Sequence, residues 1–163
     1  MAAVPNQEKE QAQEALRVVV EALQQGLGDN LVAVVLFGSR ARGEATAGSD
    51  WDLFVLARDL PPGPLQRHIQ LITLLPVQWR GQAAILARTL TEFESHLSSL
   101  MLDIALDGII LYDPEGYAAH RLAVLKRLIT NRGLHRERIG HDFVWKWDQF
   151  PGSNWSLEWK EVL

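Results

Sequence analysis

The sequence predicts an α/β fold, a small mixed sheet flanked by helices with a mostly helical C-terminal portion, and three observations carry that expectation. Two short runs, Leu31 to Phe37 and Trp51 to Ala57, are β-rich and, apart from Asp52, apolar at consecutive positions, which is how a strand reads when both faces of its sheet are covered. The stretch ahead of them and several after them repeat apolar residues at helical spacing. No internal repeat and no long linker breaks this order. Residues 1–163 are therefore expected to form one domain, with a core over about 10–112 and a helical, Trp-rich extension over about 113–163.

Each element has its own signal. Ala12, Ala15, Leu16, Val19, Ala22, Leu23 and Leu27 recur every three or four positions, so residues 7–26 read as an amphipathic helix, ended by Gly26, Gly28, Asp29 and Asn30. Leu31–Phe37 and Trp51–Ala57 are the first two strands. The segment between them, Gly38 to Ser49, is rich in glycine and small residues and reads as a tight turn, a short helix and a loop; with nothing in it to fill a core, it is expected to be functional. Arg58 to Pro64 is a Pro/Gly loop, Leu65 to Leu75 a helix ending before Pro76, and Gln82 to Arg88 a third strand. Thr91-Glu92-Phe93-Glu94 fits the S/T-x-x-E capping box and predicts a helix opening there. A helix over Ser99 to Asp107 and an extended piece over Ile109 to Tyr112 follow. Asp113-Pro114 predicts a further helix start, with Asp113 as cap and Pro114 at the first helical position, reaching about Asn131, where Gly133 stops it. From His135 the composition changes: Trp145, Trp147, Trp155 and Trp159 all fall in the last 19 residues.

Composition narrows the chemistry. The 163 residues carry 16 Lys and Arg against 20 Asp and Glu, a formal charge of −4, and are 47% apolar. These ordinary fractions exclude disordered, collagenous and low-complexity classes, and the acidic balance argues against general nucleic-acid binding, which rests on neutralising phosphates. Any anionic ligand must be held locally. The absence of cysteine excludes a disulfide scaffold, a thiolate metal site, an iron–sulfur cluster and a Cys nucleophile. The longest apolar runs are far below the roughly 20 residues of a membrane span, and Gln7-Glu8-Lys9-Glu10 supplies no apolar signal core. The chain is expected to be soluble and cytoplasmic, with no membrane partner.

The chemistry concentrates at Asp50 and Asp52. At the start of a strand, i and i+2 project from one face, so two carboxylates share a few ångströms of space. Like charges so close repel strongly unless one protonates or a cation lies between them, and a hard, oxygen-loving divalent cation such as Mg2+ suits such a pair when phosphate oxygens complete its shell. An isolated D-x-D is ordinarily a pair of solvated acids. What separates this one is Gly38-Ser39 at the end of the preceding strand, ten residues before Asp50. Glycine admits close backbone approach, the amides of Ser39 and Arg40 open a helix, and the Ser39 hydroxyl adds a donor, so a phosphate cradle and a carboxylate pair emerge from adjacent strand ends.

At these residues, Phe37-Gly38-Ser39-Arg40-Ala41-Arg42-Gly43 and Ser49-Asp50-Trp51-Asp52-Leu53, the sequence resembles the DNA-polymerase-β-like nucleotidyltransferase superfamily and its minimal nucleotidyltransferase (MNT) branch. The resemblance covers about residues 10–93. It implies a nucleotidyltransferase-like fold and Mg2+-dependent transfer of a nucleoside monophosphate from a nucleoside triphosphate, ATP before others, to an acceptor. Asp50 and Asp52 would be catalytic and would ligand the metal. Gly38 and Ser39 would hold the triphosphate, with Arg40 and Arg42 as charge-neutralising partners.

One departure matters. The family usually adds a third carboxylate, the general base, from the next core strand, where this chain has Gln82, Ala83 and Ala84. Glu92 and Glu94 fall in a helix's first turn, and Asp103 and Asp107 read as ordinary helix residues. The alternative implied by the resemblance is an MNT-type antitoxin or non-catalytic nucleotide-binding module that neutralises a small helical HEPN-type partner. Association with a second copy of the chain is a further expectation.

Weaker signals have plainer readings. Gly38 to Gly43 lacks the Lys-Ser/Thr of a P-loop, Ser39 lacks a nucleophile-elbow context, and the five histidines form no ligand pair. Arg121, inside an apolar helical stripe, is expected to snorkel or to pair with an acid, and the tryptophans to pack the C-terminal segment onto the domain.

Overall fold

The computed structural model describes residues 6–153 and 157–159, so Trp155 lies outside the described residues. The chain runs α1 (Asn6–Leu27), β1 (Leu31–Phe37), α2 (Gly38–Ala41), β2 (Trp51–Ala57), α3 (Pro64–Leu74), β3 (Ala83–Thr89), α4 (Leu90–Ser95), α5 (Ser99–Asp107), β4 (Ile109–Tyr112), α6 (Tyr117–Asn131), β5 (Leu134–Ile139) and β6 (Asp142–Trp147). A four-stranded mixed sheet has the order β3-β2-β1-β4, with β2 antiparallel to β1 and parallel to β3, and β4 antiparallel to β1. None of the described helices is long and apolar enough to cross a membrane.

The apolar runs are strands because both of their faces are buried. Val34, Leu36, Leu53, Val55 and Ala57 pack on one side with Leu16, Val19 and Leu23 of α1 and Leu71 of α3. Each fully buried Leu or Val contributes about 1.5–3 kcal/mol over leaving it in water. On the other side, Val35, Phe54 and Leu56 pack with Leu102 and Ile104 of α5 and with Leu122 and Leu125 of α6. Asp52, two residues before Phe54, therefore emerges on the α5–α6 side.

Three local expectations need correction. The capping box forms two residues earlier, at Thr89 and Glu92: Thr89 Oγ1 accepts from the Glu92 amide at 3.1 Å and the Glu92 carboxylate accepts from the Thr89 amide at 2.9 Å. Thr89-x-x-Glu92 fits the same pattern, and Arg67 fixes the choice by gripping both Glu92 oxygens at 2.8 Å. Glu94 is thereby left to accept from the Tyr117 hydroxyl (2.6 Å) and from Arg121 (2.9 Å), the acid pairing expected for that arginine. Pro114 does not open α6. Pro114 and Glu115 lead to Gly116 at φ 71°, and the Asp113 carboxylate caps from outside by accepting from the amides of Ala118 (3.2 Å) and Ala119 (2.8 Å).

The third difference is larger. Among the described residues the C-terminal extension forms the helix α6 and then an antiparallel hairpin, β5–β6, with Ile139 paired to Asp142. Gly140 has φ 66° and, among the described residues, no non-glycine residue has positive φ, which fits a two-residue turn with its strained position first. Phe143, Trp145 and Trp147 face inward while Asp142, Val144 and Lys146 face water, a period of two. Trp159 is buried, its ring 5.0 Å from that of Phe93 and its Nε1 donating to the Phe93 carbonyl at 2.7 Å. The tail thus packs onto the body of the molecule.

The Arg67–Glu92 pair gives a pH test. Arg67 first, with the Thr89 amide assisting, holds the Glu92 carboxyl down at about 2, against an ordinary 4.5. Its contribution is complete above the ordinary value and is lost as pH falls towards about 2, and it is modest because Glu92 is partly in water. Thermal melts from pH 6 to pH 2 should show Glu92→Gln less stable than wild type at the upper end, with the gap closing through that window.

Candidate active site

The site is built where β1 hands over to α2 beside the start of β2. Phe37 at the end of β1 pairs with Asp52, and the chain then turns at Gly38 with φ 74°. A Cβ on Gly38 would stand 2.2 Å from Asp52 Oδ2, so only glycine fits there. Asp50 is exposed and Asp52 half-buried. Burial, and then repulsion from Asp50, raise the Asp52 carboxyl above its ordinary range, while the Arg42 charge opposes both. On the other side of β2, Ala84 of β3 lies in register with Asp52 and hence on the same face of the parallel pair.

α2 is a single turn, closed by the Arg42 amide on the Gly38 carbonyl (3.2 Å) and the Glu44 amide on the Ser39 carbonyl (2.9 Å). Its first amides have no intrahelical acceptor and open beside Asp52. The structure thus brings together Gly38, Ser39, Asp50, Asp52 and Arg42, as expected from sequence.

The two arginines have partners within the protein. Arg40 donates from Nε (3.1 Å) and Nη2 (2.8 Å) to the Ser49 carbonyl and lies 4.2 Å over the Trp51 ring. Arg42 donates to Glu44 Oε2 at 2.9 Å and reaches Asp107 Oδ2 at 3.5 Å. Asp103 and Asp107 are not ordinary solvated helix residues. Arg136 of β5 binds both Asp107 oxygens (2.7 and 2.9 Å) and Asp103 Oδ1 (2.9 Å), and Trp145 Nε1 adds a bond to Asp103 at 3.1 Å. The side chains of Asp107 and Arg136 are each only 3% exposed, so neither acid is a free base for the dyad. Glu92 is committed to its cap at the other end of β3. Among the described residues there is no cluster of three or more His, Asp or Glu that could hold a metal ion.

Sequence reasoning missed the hairpin's part in this region. The guanidinium groups of Arg42, Arg136 and Arg138 surround the Phe143 ring at 4.9, 4.1 and 4.5 Å. Arg138 and Arg42 both bind Glu44 and hold its carboxyl below the usual range. Gly140 and the alternating aromatics of 143–147 were the available signal, hidden because the buried Arg136 reads as a polar position.

Comparison with known proteins agrees with this geometry. The polymerase beta nucleotidyltransferase family model matches residues 20–115. A segment of 49 residues is 45% identical to "Putative protein adenylyltransferase MJ1305" of Methanocaldococcus jannaschii, covering 30% of this chain and 33% of that protein; the chain thus spans about a third of the length of the curated relative it matches. A crystal structure of a toxin–antitoxin with AMP-PNP superposes with a TM-score of 0.51 at 19% identity, over 71% of this chain and 90% of that one, and shows the same fold. A tri-AMPylated Shewanella oneidensis HEPN toxin in complex with MNT antitoxin gives a TM-score of 0.44 at 18% identity, over 76% and 92% of the two chains.

Because the folded state raises the Asp52 carboxyl above its ordinary 3.8, ionising it opposes folding; that cost is present at neutral pH and disappears below the ordinary value. In chelator, Asp52→Asn should melt higher than wild type at pH 7, and the advantage should vanish near pH 3.

Proposed function

The chain belongs to the polymerase beta nucleotidyltransferase family, and we propose that it catalyses Mg2+-dependent transfer of a nucleoside monophosphate from a nucleoside triphosphate, ATP before others, to an acceptor hydroxyl, releasing pyrophosphate. The observation that carries the reading is the contact of Gly38 with Asp52, which sets a ligand-admitting backbone turn directly against a half-buried carboxylate. The donor set fits Mg2+: two carboxylate oxygen ligands, one of them raised by its neighbour's charge, with the remaining positions left to triphosphate oxygens. Asp50 and Asp52 would hold the ion, which when bound offsets the charge on the phosphoryl oxygens.

The chain's own residues do the rest by positioning. Gly38 leaves room for the triphosphate, the first amides of α2 and the Ser39 hydroxyl donate to it, and Arg42 is the cation nearest the dyad's field. The bond from the acceptor oxygen to the α-phosphorus forms as the bond to pyrophosphate breaks, and the hydroxyl proton must leave. Among the described residues β3 places no carboxylate to take that proton, because Ala84 stands beside Asp52 where the family's third acid would be expected. Transfer by the isolated protein is therefore slow.

That same alanine favours a second reading, in which the chain acts chiefly as a nucleotide-binding antitoxin that neutralises a small helical HEPN-type partner in the cytoplasm. The relative's name, a protein adenylyltransferase, and the toxin–antitoxin setting of the shared fold support a protein as the acceptor or partner. Co-expression with such a partner, followed by intact-mass measurement for added nucleotide, separates the two: an adduct supports transfer, and a stable unmodified complex supports neutralisation by binding.

Calorimetric titration with Mg2+ and ATP should show binding lost in Asp50→Asn, Asp52→Asn and Gly38→Val. Ser39→Ala should weaken it by about 1–2 kcal/mol, the loss of one hydrogen bond to a charged group. Full affinity in Gly38→Val would place the phosphates elsewhere. A separate expectation concerns the missing base, which typically contributes about 10²–10⁴-fold. Ala84→Asp should raise turnover while leaving nucleotide affinity near wild type, and unchanged turnover would show that the Ala84 position does not face the reacting hydroxyl.

A further inference from the structure

We propose that Arg40 is a positioning residue for the Asp50–Asp52 pair, holding the main chain that leads into the two aspartates rather than touching phosphate; the proposal rests on the reading of that pair as the metal-binding site. Two of the guanidinium's donors converge on one acceptor, the Ser49 carbonyl, at 3.1 and 2.8 Å. The same group stacks on Trp51 at 4.2 Å. The residues immediately before and after Asp50 are thus held by a single side chain. A planar fork suits this task, since few rotamers are lost for each bond made.

The surroundings explain why such a clamp is needed. Residues 43–48 between α2 and β2 are all exposed and, apart from Glu44 and Thr46, are glycine or alanine, so packing cannot fix where the loop delivers Asp50. Glu44, near the loop's start, is bound by Arg42 and Arg138, and closer to Asp50 the other ties are Ser49 N–H to the Thr46 carbonyl (3.1 Å), Thr46 N–H to Ser49 Oγ (2.9 Å), the Thr46 and Ser49 hydroxyls on each other (3.3 Å) and Trp51 N–H to the Gln82 carbonyl (2.8 Å). Trp51 is anchored in turn by edge contact with Trp79, at 5.8 Å between ring centres.

Position also tells against a phosphate contact. Strand alternation turns Trp51 to the face opposite Asp50 and Asp52, and Arg40 lies with it beside Gln11, Ala12 and Ala15 of α1, lining a shallow cavity there. Arg42, by contrast, acts on the Asp52 carboxyl, and Arg40 is not among the groups that do. The first arginine of the Arg-x-Arg pair fixes geometry and the second supplies charge.

The test uses the full chain without nucleotide, with Mn2+ as the probe, in wild type, Arg40→Gln, Arg40→Lys and Asp52→Asn. Arg40→Gln should weaken Mn2+ binding about tenfold, the scale of losing bonds from a charged donor, and Arg40→Lys, a point charge without the fork, should fall between it and wild type. In metal-free protein, hydrogen exchange at the Thr46, Ser49 and Trp51 amides should quicken in Arg40→Gln, while amides in the centre of β1 stay as in wild type. Unchanged exchange at those three amides overturns the clamp. So does unchanged Mn2+ affinity combined with weaker Mg2+–ATP binding, which would assign Arg40 to the phosphates. If Asp52→Asn binds Mn2+ as tightly as wild type, the metal reading of the dyad fails, and the exchange measurement alone then decides whether Arg40 holds the loop.

Discussion

A Cβ at residue 38 would stand 2.2 Å from Asp52 Oδ2, so β1 and β2 can meet at the site only with bare backbone between them. The rest of the arrangement depends on this approach. It lets the turn at Gly38 start α2 beside a carboxylate rather than beside solvent, and it turns the first amides of α2 and the Asp52 oxygens towards the same space. It also half-buries Asp52, and burial is the leading cause of its raised carboxyl. A pair of acids at a strand start would otherwise be free to splay into water. The sheet closes that option for Asp52 by pairing it with Phe37 on one side and Ala84 on the other, while Asp50 keeps access to solvent.

Around this contact the charges are sorted by partner rather than by number. Arg42 has Glu44 and Asp107 as partners and still acts on Asp52. Arg136 is spent wholly on Asp103 and Asp107, in a pair so buried that removing either side alone would strand a charge, a change that typically costs about 3–5 kcal/mol. The hairpin that carries Arg136 also presents Phe143 to three guanidinium groups, and through Glu44 it is tied to the loop that leads to Asp50. The C-terminal segment is thus physically continuous with the site, although none of its residues lies in the motif that identifies it.

What sequence could show, and what it could not, follows from the range of the forces involved. The β1 and β2 runs and the α1 stripe are set by burial of side chains near in sequence, and Leu31–Phe37 and Trp51–Ala57 fold as the periodicity implies. Gly38, Asp50 and Asp52 were legible because their chemistry requires close approach and paired charge, both of which leave a mark in spacing. Thr89 and Thr91 each offered a capping box, and only Arg67, over 20 residues away, decides between them. The β5–β6 hairpin was hidden for a related reason: Arg136 occupies an inward position that pattern reading assigns to solvent, and it can do so only because Asp103 and Asp107 are waiting 33 and 29 residues upstream.

The fate of those two aspartates bears on catalysis as well as folding. A third acid beside Asp50 and Asp52 would be valuable, and α5 carries two, of which Asp107 lies within reach of Arg42. Both are instead bound by Arg136, with Asp107 accepting two bonds from it and Asp103 accepting a further bond from Trp145. The hairpin therefore engages both α5 acids, and β3 places Ala84 in register with Asp52. Among the described residues, then, Asp50 and Asp52 stand without a third acid in register beside them.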